Sequence, residues 1–296
     1  MKHDRLKGAL FTVLGGVLWG FSGTCGQFLM QTKGLPSNWI VPIRLLSAGV
    51  ILLLLCLLRR DANLFRVWKK DAPAILIFGL FGMSMCQYTY FTAIGCSNAG
   101  TATVLQYLGP VLIMILMSLQ ARRFPRPLEL LAVFLAVAGT FLLATHGNPG
   151  TMVLSKEALF WGLLSACALV VYTVQPVRLL ERYGSPVVTA WGMLVGGGAL
   201  MLLFRPWTIP VSFDGECFWG LAAVVLMGTV IAFTIYLEGI RCVGPKKGSL
   251  YASVEPVSAT VFSVILMGVS FTGMDLLGFA CIISTIFLLS VDRQNP

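Results

Sequence analysis

The sequence predicts an all-α integral membrane protein of ten transmembrane helices, arranged as two inverted five-helix repeats. Three observations predict it: a composition too apolar for water, ten long stretches almost free of charge, and a self-similarity at a shift of 146 residues. Of 296 residues, 57% are hydrophobic and 11% charged. A water-soluble core of this length has no room for so much apolar surface, so lipid is the solvent.

About 20 apolar residues of helix cross a hydrocarbon core. Such stretches lie near 8–30, 39–58, 73–95, 100–120, 128–145, 158–177, 185–204, 217–237, 248–267 and 274–291. Backbone groups in hydrocarbon must be satisfied within the segment, and these runs are too long and evenly apolar for barrel strands, so each reads as a helix. The first run holds 23 residues. That exceeds the apolar region of a cleaved signal peptide, so it is read as a span.

Basic residues in short loops collect on the cytoplasmic side. With the N-terminus inside, the inner segments hold Lys2, Arg5, Lys7, Arg59, Arg60, Arg66, Lys69, Lys70, Arg122, Arg123, Arg126, Arg178, Arg182, Arg241, Lys246, Lys247 and Arg293, which is 17 of the 21 Lys and Arg. The outer segments keep Lys33, Lys156 and Arg205, while Arg44 lies inside a span. Both termini are therefore expected in the cytoplasm, with a plasma-membrane location and an external linker at 146–157 between repeats at 1–145 and 158–296. The net charge of +9 follows from this bias. A nucleic-acid partner, which needs a basic face on a soluble domain, has no support.

The eight Cys form no CxxC, both His fall outside the spans, and neither HExxH nor GxSxG occurs. No metal site, cofactor or enzymatic activity is expected. No nucleotide-binding loop is present either, so transport would draw on a gradient, with a proton or a counter-substrate as the coupling partner.

Shifting the chain by 146 residues lays 80–143 on 226–289 without a gap, pairing Gly82 with Gly228, Tyr90 with Tyr236, Cys96 with Cys242 and Pro110 with Pro256. A repeat of five spans is odd-numbered, so the second copy enters from the opposite face, an arrangement common among secondary transporters. The runs QYTYFTAIGCSNAGTATVLQYLGP (Gln87–Pro110) and LYASVEPV (Leu250–Val257), with the early Leu18-Trp19-Gly20, resemble the EamA family of the drug/metabolite transporter superfamily. The resemblance covers nearly the whole chain. It implies a ten-helix carrier with a cavity between the repeats, exporting amino acids or related metabolites. Members often carry an acidic residue where helices four and nine end; Ala121-Arg122-Arg123 and Gly268-Val269-Ser270 stand there instead.

Only Arg44 and Glu255 are charged well inside spans, and charges at that depth face a bundle interior or a watery cavity. Arg44 lies about 8 Å below the outer face and Glu255 about 10 Å from the inner one, levels too far apart for a direct pair. Arg44 either joins a substrate site or ties helix two to its neighbours; Glu255 either exchanges a proton, accepts a substrate ammonium or makes a packing hydrogen bond. Gln87 and Gln106 share the level of Arg44 and either bind a substrate carboxylate or amide or hydrogen-bond between helices. Trp19 and Trp191, then Tyr90, Tyr107, Tyr172 and Tyr251, are aromatic cavity candidates against a packing alternative. Pro110 and Pro256 each free a carbonyl four residues back and are candidate hinges. Gly16 and Gly20 read as helix packing, and Glu129 and Asp275 as N-terminal helix charges.

The expected function is export of amino acids or similar metabolites, with efflux of hydrophobic cations as the alternative and a membrane enzyme or scaffold a distant third. In a thiol-free background, Gly150→Cys is expected to react with an impermeant reagent from outside and Phe124→Cys to stay unreacted; the reverse pattern overturns the topology.

Overall fold

The computed structural model describes residues 2–148, 150, 152–243 and 251–292. Eight helices are long and apolar enough to cross a membrane: α1 (Leu6–Gln31), α2 (Ser37–Leu58), α3 (Arg66–Cys96), α4 (Ala99–Gln120), α5 (Pro127–Thr145), α6 (Lys156–Val174), α7 (Ser185–Thr208) and α8 (Gly215–Gly239). Two shorter apolar helices follow, α9 (Val254–Met267) and α10 (Gly273–Leu289). No strand occurs among the described residues. Lys246, Lys247, Arg293 and the first residues of the span expected at 248–267 lie outside them.

The inversion is visible in which residues touch. A Cβ built on Gly49 of α2 would stand 3.0 Å from Leu194 of α7, and one on Gly197 would stand 2.9 Å from Leu45. Moving forward along α2 therefore moves backward along α7, its equivalent in the second repeat. The α5 and α10 pair behaves alike, with Gly139 against Gly278 and Ile282 while His146 at the end of α5 meets Asp275 at the start of α10. Small residues set these distances, because in lipid helices associate by close packing rather than by the hydrophobic effect. The Gly16 and Gly20 face of α1 is occupied by α9, where added Cβ atoms would meet Ala252 O at 2.9 Å and Ala259 N at 2.6 Å. Packing is thus the role of that motif.

Irregularities repeat as well. A π-helical turn spans Phe78–Met83 in α3 and another Ala223–Ile231 in α8, over positions related by the same shift. The α4 helix breaks between Ala99–Gln106 and Gly109–Gln120, and a turn at Ser253 precedes α9, so the kinks expected at Pro110 and Pro256 are breaks with each proline in the first turn of the following segment. The carbonyl of Ala252, which Pro256 leaves without its helical donor, accepts from Tyr107 Oη at 3.3 Å. Glu129 accepts from Arg126 N at 2.7 Å and Asp275 from Thr272 N at 2.8 Å, equivalent N-terminal caps.

Polar contacts join helix ends that the repeat puts on common faces: ion pairs link Lys33 to Asp214 and Glu216 and Arg182 to Asp71, and His146 hydrogen-bonds Asp275. The Lys33 hydrogen bond, with the Cys217 backbone N–H, holds the Asp214 carboxyl below its ordinary range. Neighbouring glycines of α7 test the packing. Gly197→Ala, crowded by Leu45 and Leu46, is expected to lower stability by about 1–3 kcal/mol, whereas Gly198→Ala, with nothing within 4 Å, should be neutral or better. Thermal unfolding in detergent measures both, and equal losses would contradict this helix contact.

Candidate functional site

Seven of the ten substrate-binding candidates converge. Trp19, Arg44, Gln87, Tyr90, Gln106, Tyr172 and Glu255 line one cavity of about 250 Å³, with Ser22, Gly23, Cys86, Phe91, Leu169, Phe233 and Tyr236. The walls come from α1, α2, α3, α4, α6, α8 and α9, hence from both repeats. Gly23 and Leu169, Gln87 and Phe233, and Tyr90 and Tyr236 are equivalents under the 146-residue shift, so the void sits where the repeats face each other.

Arg44 is 5% exposed and held on three sides. Its Nη1 donates to Gln87 Oε1 at 2.9 Å, its Nε to Thr229 Oγ1 at 3.3 Å, and its guanidinium lies 4.5 Å from the Phe91 ring centroid. Thr229 belongs to the π-helical turn of α8, so the irregular backbone places this contact. Among the described residues no carboxylate pairs with Arg44. Arg44 ties α2 to α3 and α8 and faces the cavity.

Glu255, in the first turn of α9, accepts from Tyr107 Oη through Oε2 at 3.0 Å. Tyr107 stands at the break in α4, behind the carboxylate rather than in the cavity wall, and links the repeats through Glu255 and Ala252. As expected, Arg44 and Glu255 are not direct partners. Gln106 Nε2 reaches Cys86 Sγ at 3.8 Å, and Tyr90 Oη shares a hydrogen bond with Thr103 Oγ1 at 2.7 Å. Trp19 packs on Phe233 and Tyr236, with ring centroids 5.1 and 4.8 Å apart. Ser22 Oγ is buried with no hydrogen-bond partner among the described residues.

Trp191 and Tyr251 do not line this cavity. Trp191 lies six residues after the start of α7, donates Nε1–H to Leu64 O at 2.7 Å and meets Trp68 edge-on at 5.2 Å, so it packs against the α2–α3 connection. Tyr251 is half-buried ahead of α9. Of the lining residues the sequence reading passed over, Tyr236 carried a signal, its identity with Tyr90 across the repeat. A second void of about 390 Å³ opens between α2, α7 and α8, lined by Cys56, Arg59 and Thr189 among others, and Phe233 borders both.

An apolar helical bundle enclosing a polar, charge-bearing cavity between two inverted repeats is the architecture of a membrane transporter. The model of the EamA-like transporter family matches residues 6–145 and again 156–291, and the chain belongs to this family, in the drug/metabolite transporter superfamily. The chain is 39% identical over 291 residues to YicL, an uncharacterized inner membrane transporter of Salmonella typhimurium, covering 98% of this chain and 97% of that protein. It is 24% identical over 230 residues to the threonine/homoserine exporter RhtA of Salmonella typhimurium, covering 74% and 73%. A protein of known crystal structure, 18% identical, shares the fold over the full length of both chains with a TM-score of 0.65.

Trp19→Ala is expected to change apparent substrate affinity several-fold while folded yield stays near wild type; Trp191→Ala should cost stability and leave affinity alone. Uptake kinetics beside size-exclusion profiles separate the two, and an affinity effect at Trp191 without one at Trp19 would reverse the assignment.

Proposed function

We propose that this transporter exports amino acids or related small metabolites across the plasma membrane by alternating access, with both termini in the cytoplasm. The observation that carries the reading is one cavity built by both repeats and bearing a cation, a carboxylate and aromatic walls. The similarity to RhtA, named as a threonine/homoserine exporter, supports the substrate class. Binding in such a site rests on a few placed polar groups against an otherwise apolar lining.

Access would alternate about the breaks at Pro110 and Pro256, which interrupt two cavity-forming helices at equivalent points. Phe233 stands between the cavity and the second void, whose lining includes Arg59, so movement of this ring against Trp19 would open a path toward the basic face. A proton or a counter-substrate gradient would supply the energy.

Efflux of hydrophobic cations is the competing reading, favoured by Trp19, Phe233 and Tyr236, whose ring faces attract cations. Arg44, which pairs with no carboxylate among the described residues, opposes it, because a cation taken up by Glu255 would leave the buried guanidinium uncompensated at low dielectric. Counterflow into proteoliposomes with L-amino acids, nucleosides and aromatic amines decides between them. Accumulation of amino acids is expected; accumulation confined to amines or nucleosides contradicts the proposal.

A further inference from the structure

The two charges in the cavity are held apart, and each keeps an unused face. Guanidinium offers five N–H donors. Arg44 spends one on Gln87 and one on Thr229, leaving both hydrogens of Nη2 without an acceptor among the described residues. Gln87 accepts through Oε1, which leaves its amide N–H2 as a further donor on the cavity wall. Glu255 uses Oε2 on Tyr107, and Oε1 has no donor among the described residues. The Phe91 ring and Thr229 contact Arg44 on one side of the cavity, while Tyr107 contacts Glu255 on the other.

Two buried opposite charges that do not meet are costly, and direct pairing would offset much of that cost. The arrangement becomes favourable once one ligand bearing both charges completes it. Resting on the amino-acid reading above, we infer that the substrate is a zwitterion of zero net charge. Its carboxylate is bound by Arg44 Nη2 with Gln87, its ammonium by Glu255 beside the Trp19 ring, and its uncharged side chain lies along Leu169 and Phe233. Among the described residues the cavity lining holds no third charged side chain, so substrates carrying a further charge are disfavoured.

The test uses wild-type protein in proteoliposomes and inhibition of labelled amino-acid counterflow. The probes are L-threonine and L-leucine, their methyl esters, the amines left by removing the carboxylate, the acids left by removing the amine, and L-lysine and L-aspartate. Loss of one charge-assisted contact should weaken inhibition roughly 10- to 100-fold. The ester, amine and acid are each expected to lose that much against the faster-exchanging parent, with lysine and aspartate also weak. Arg44→Gln should then erase the preference over the ester while keeping that over the deaminated acid, and Glu255→Gln should do the converse. An ester or amine inhibiting within twofold of its parent overturns the inference while amino-acid transport stands. Exchange of nucleosides or amines with no amino-acid exchange removes the export reading, and the inference with it. The analogue series on wild-type protein decides the matter even where a variant fails to fold.

Discussion

The close approach of antiparallel helices across the repeats is the constraint on which the rest of the structure depends. Lipid offers no hydrophobic drive between helices, so the bundle holds where small residues let backbones meet. Gly49 and Gly197 set α2 against α7, Gly139 and Gly278 set α5 against α10, and Gly16 and Gly20 set α1 against α9. Between those contacts, Trp19, Tyr90, Tyr172 and Phe233 of α1, α3, α6 and α8 face one another. They leave a void instead of a closed seam.

Irregular backbone appears where the void needs it. The π-helical turns of α3 and α8 come just before Gln87 and Phe233, and Thr229 within the second turn receives the Arg44 Nε–H. The breaks in α4 and before α9 bring Tyr107 to Glu255 and to the carbonyl that Pro256 frees. Non-ideal helix at membrane depth is tolerated where it is buried in protein or lines a cavity, and one side of each π-helical turn is buried, at Phe78, Gly82 and Met83 in α3 and at Val224, Gly228 and Thr229 in α8. Duplication made the backbone features symmetric, while Arg44 and Glu255 have no charged equivalents: the residues 146 positions away are Ala190 and Gly109. The scaffold is thus shared between the repeats and the charges are not.

Much of this was legible in the sequence, for physical reasons that differ from residue to residue. Span positions follow from apolar length, and Glu129 and Asp275 were readable as helix starts because an acidic side chain before an apolar run has few other uses. Arg44 and Glu255 stood out because charge at membrane depth is rare. The π-helical turns were not legible: FGLFGM and AVVLMGTVI are apolar runs indistinguishable by composition from ordinary helix. Phe91, Leu169 and Phe233 were hidden likewise, since an apolar chain gives no sign of which apolar side chain faces a cavity. Trp191 packs instead of lining the cavity because it stands six residues from the helix start, where its indole reaches the α2–α3 connection, a contact no residue pattern announces.

Central to the account is a single substrate site between the repeats, bounded by Arg44 and Glu255. An experimental structure of the protein in lipid nanodiscs with a transported amino acid bound tests this most directly. The account predicts ligand density inside the cavity, touching Arg44 at one end and Glu255 at the other. Density confined to the void beside Arg59, or contacting neither charge, would contradict it.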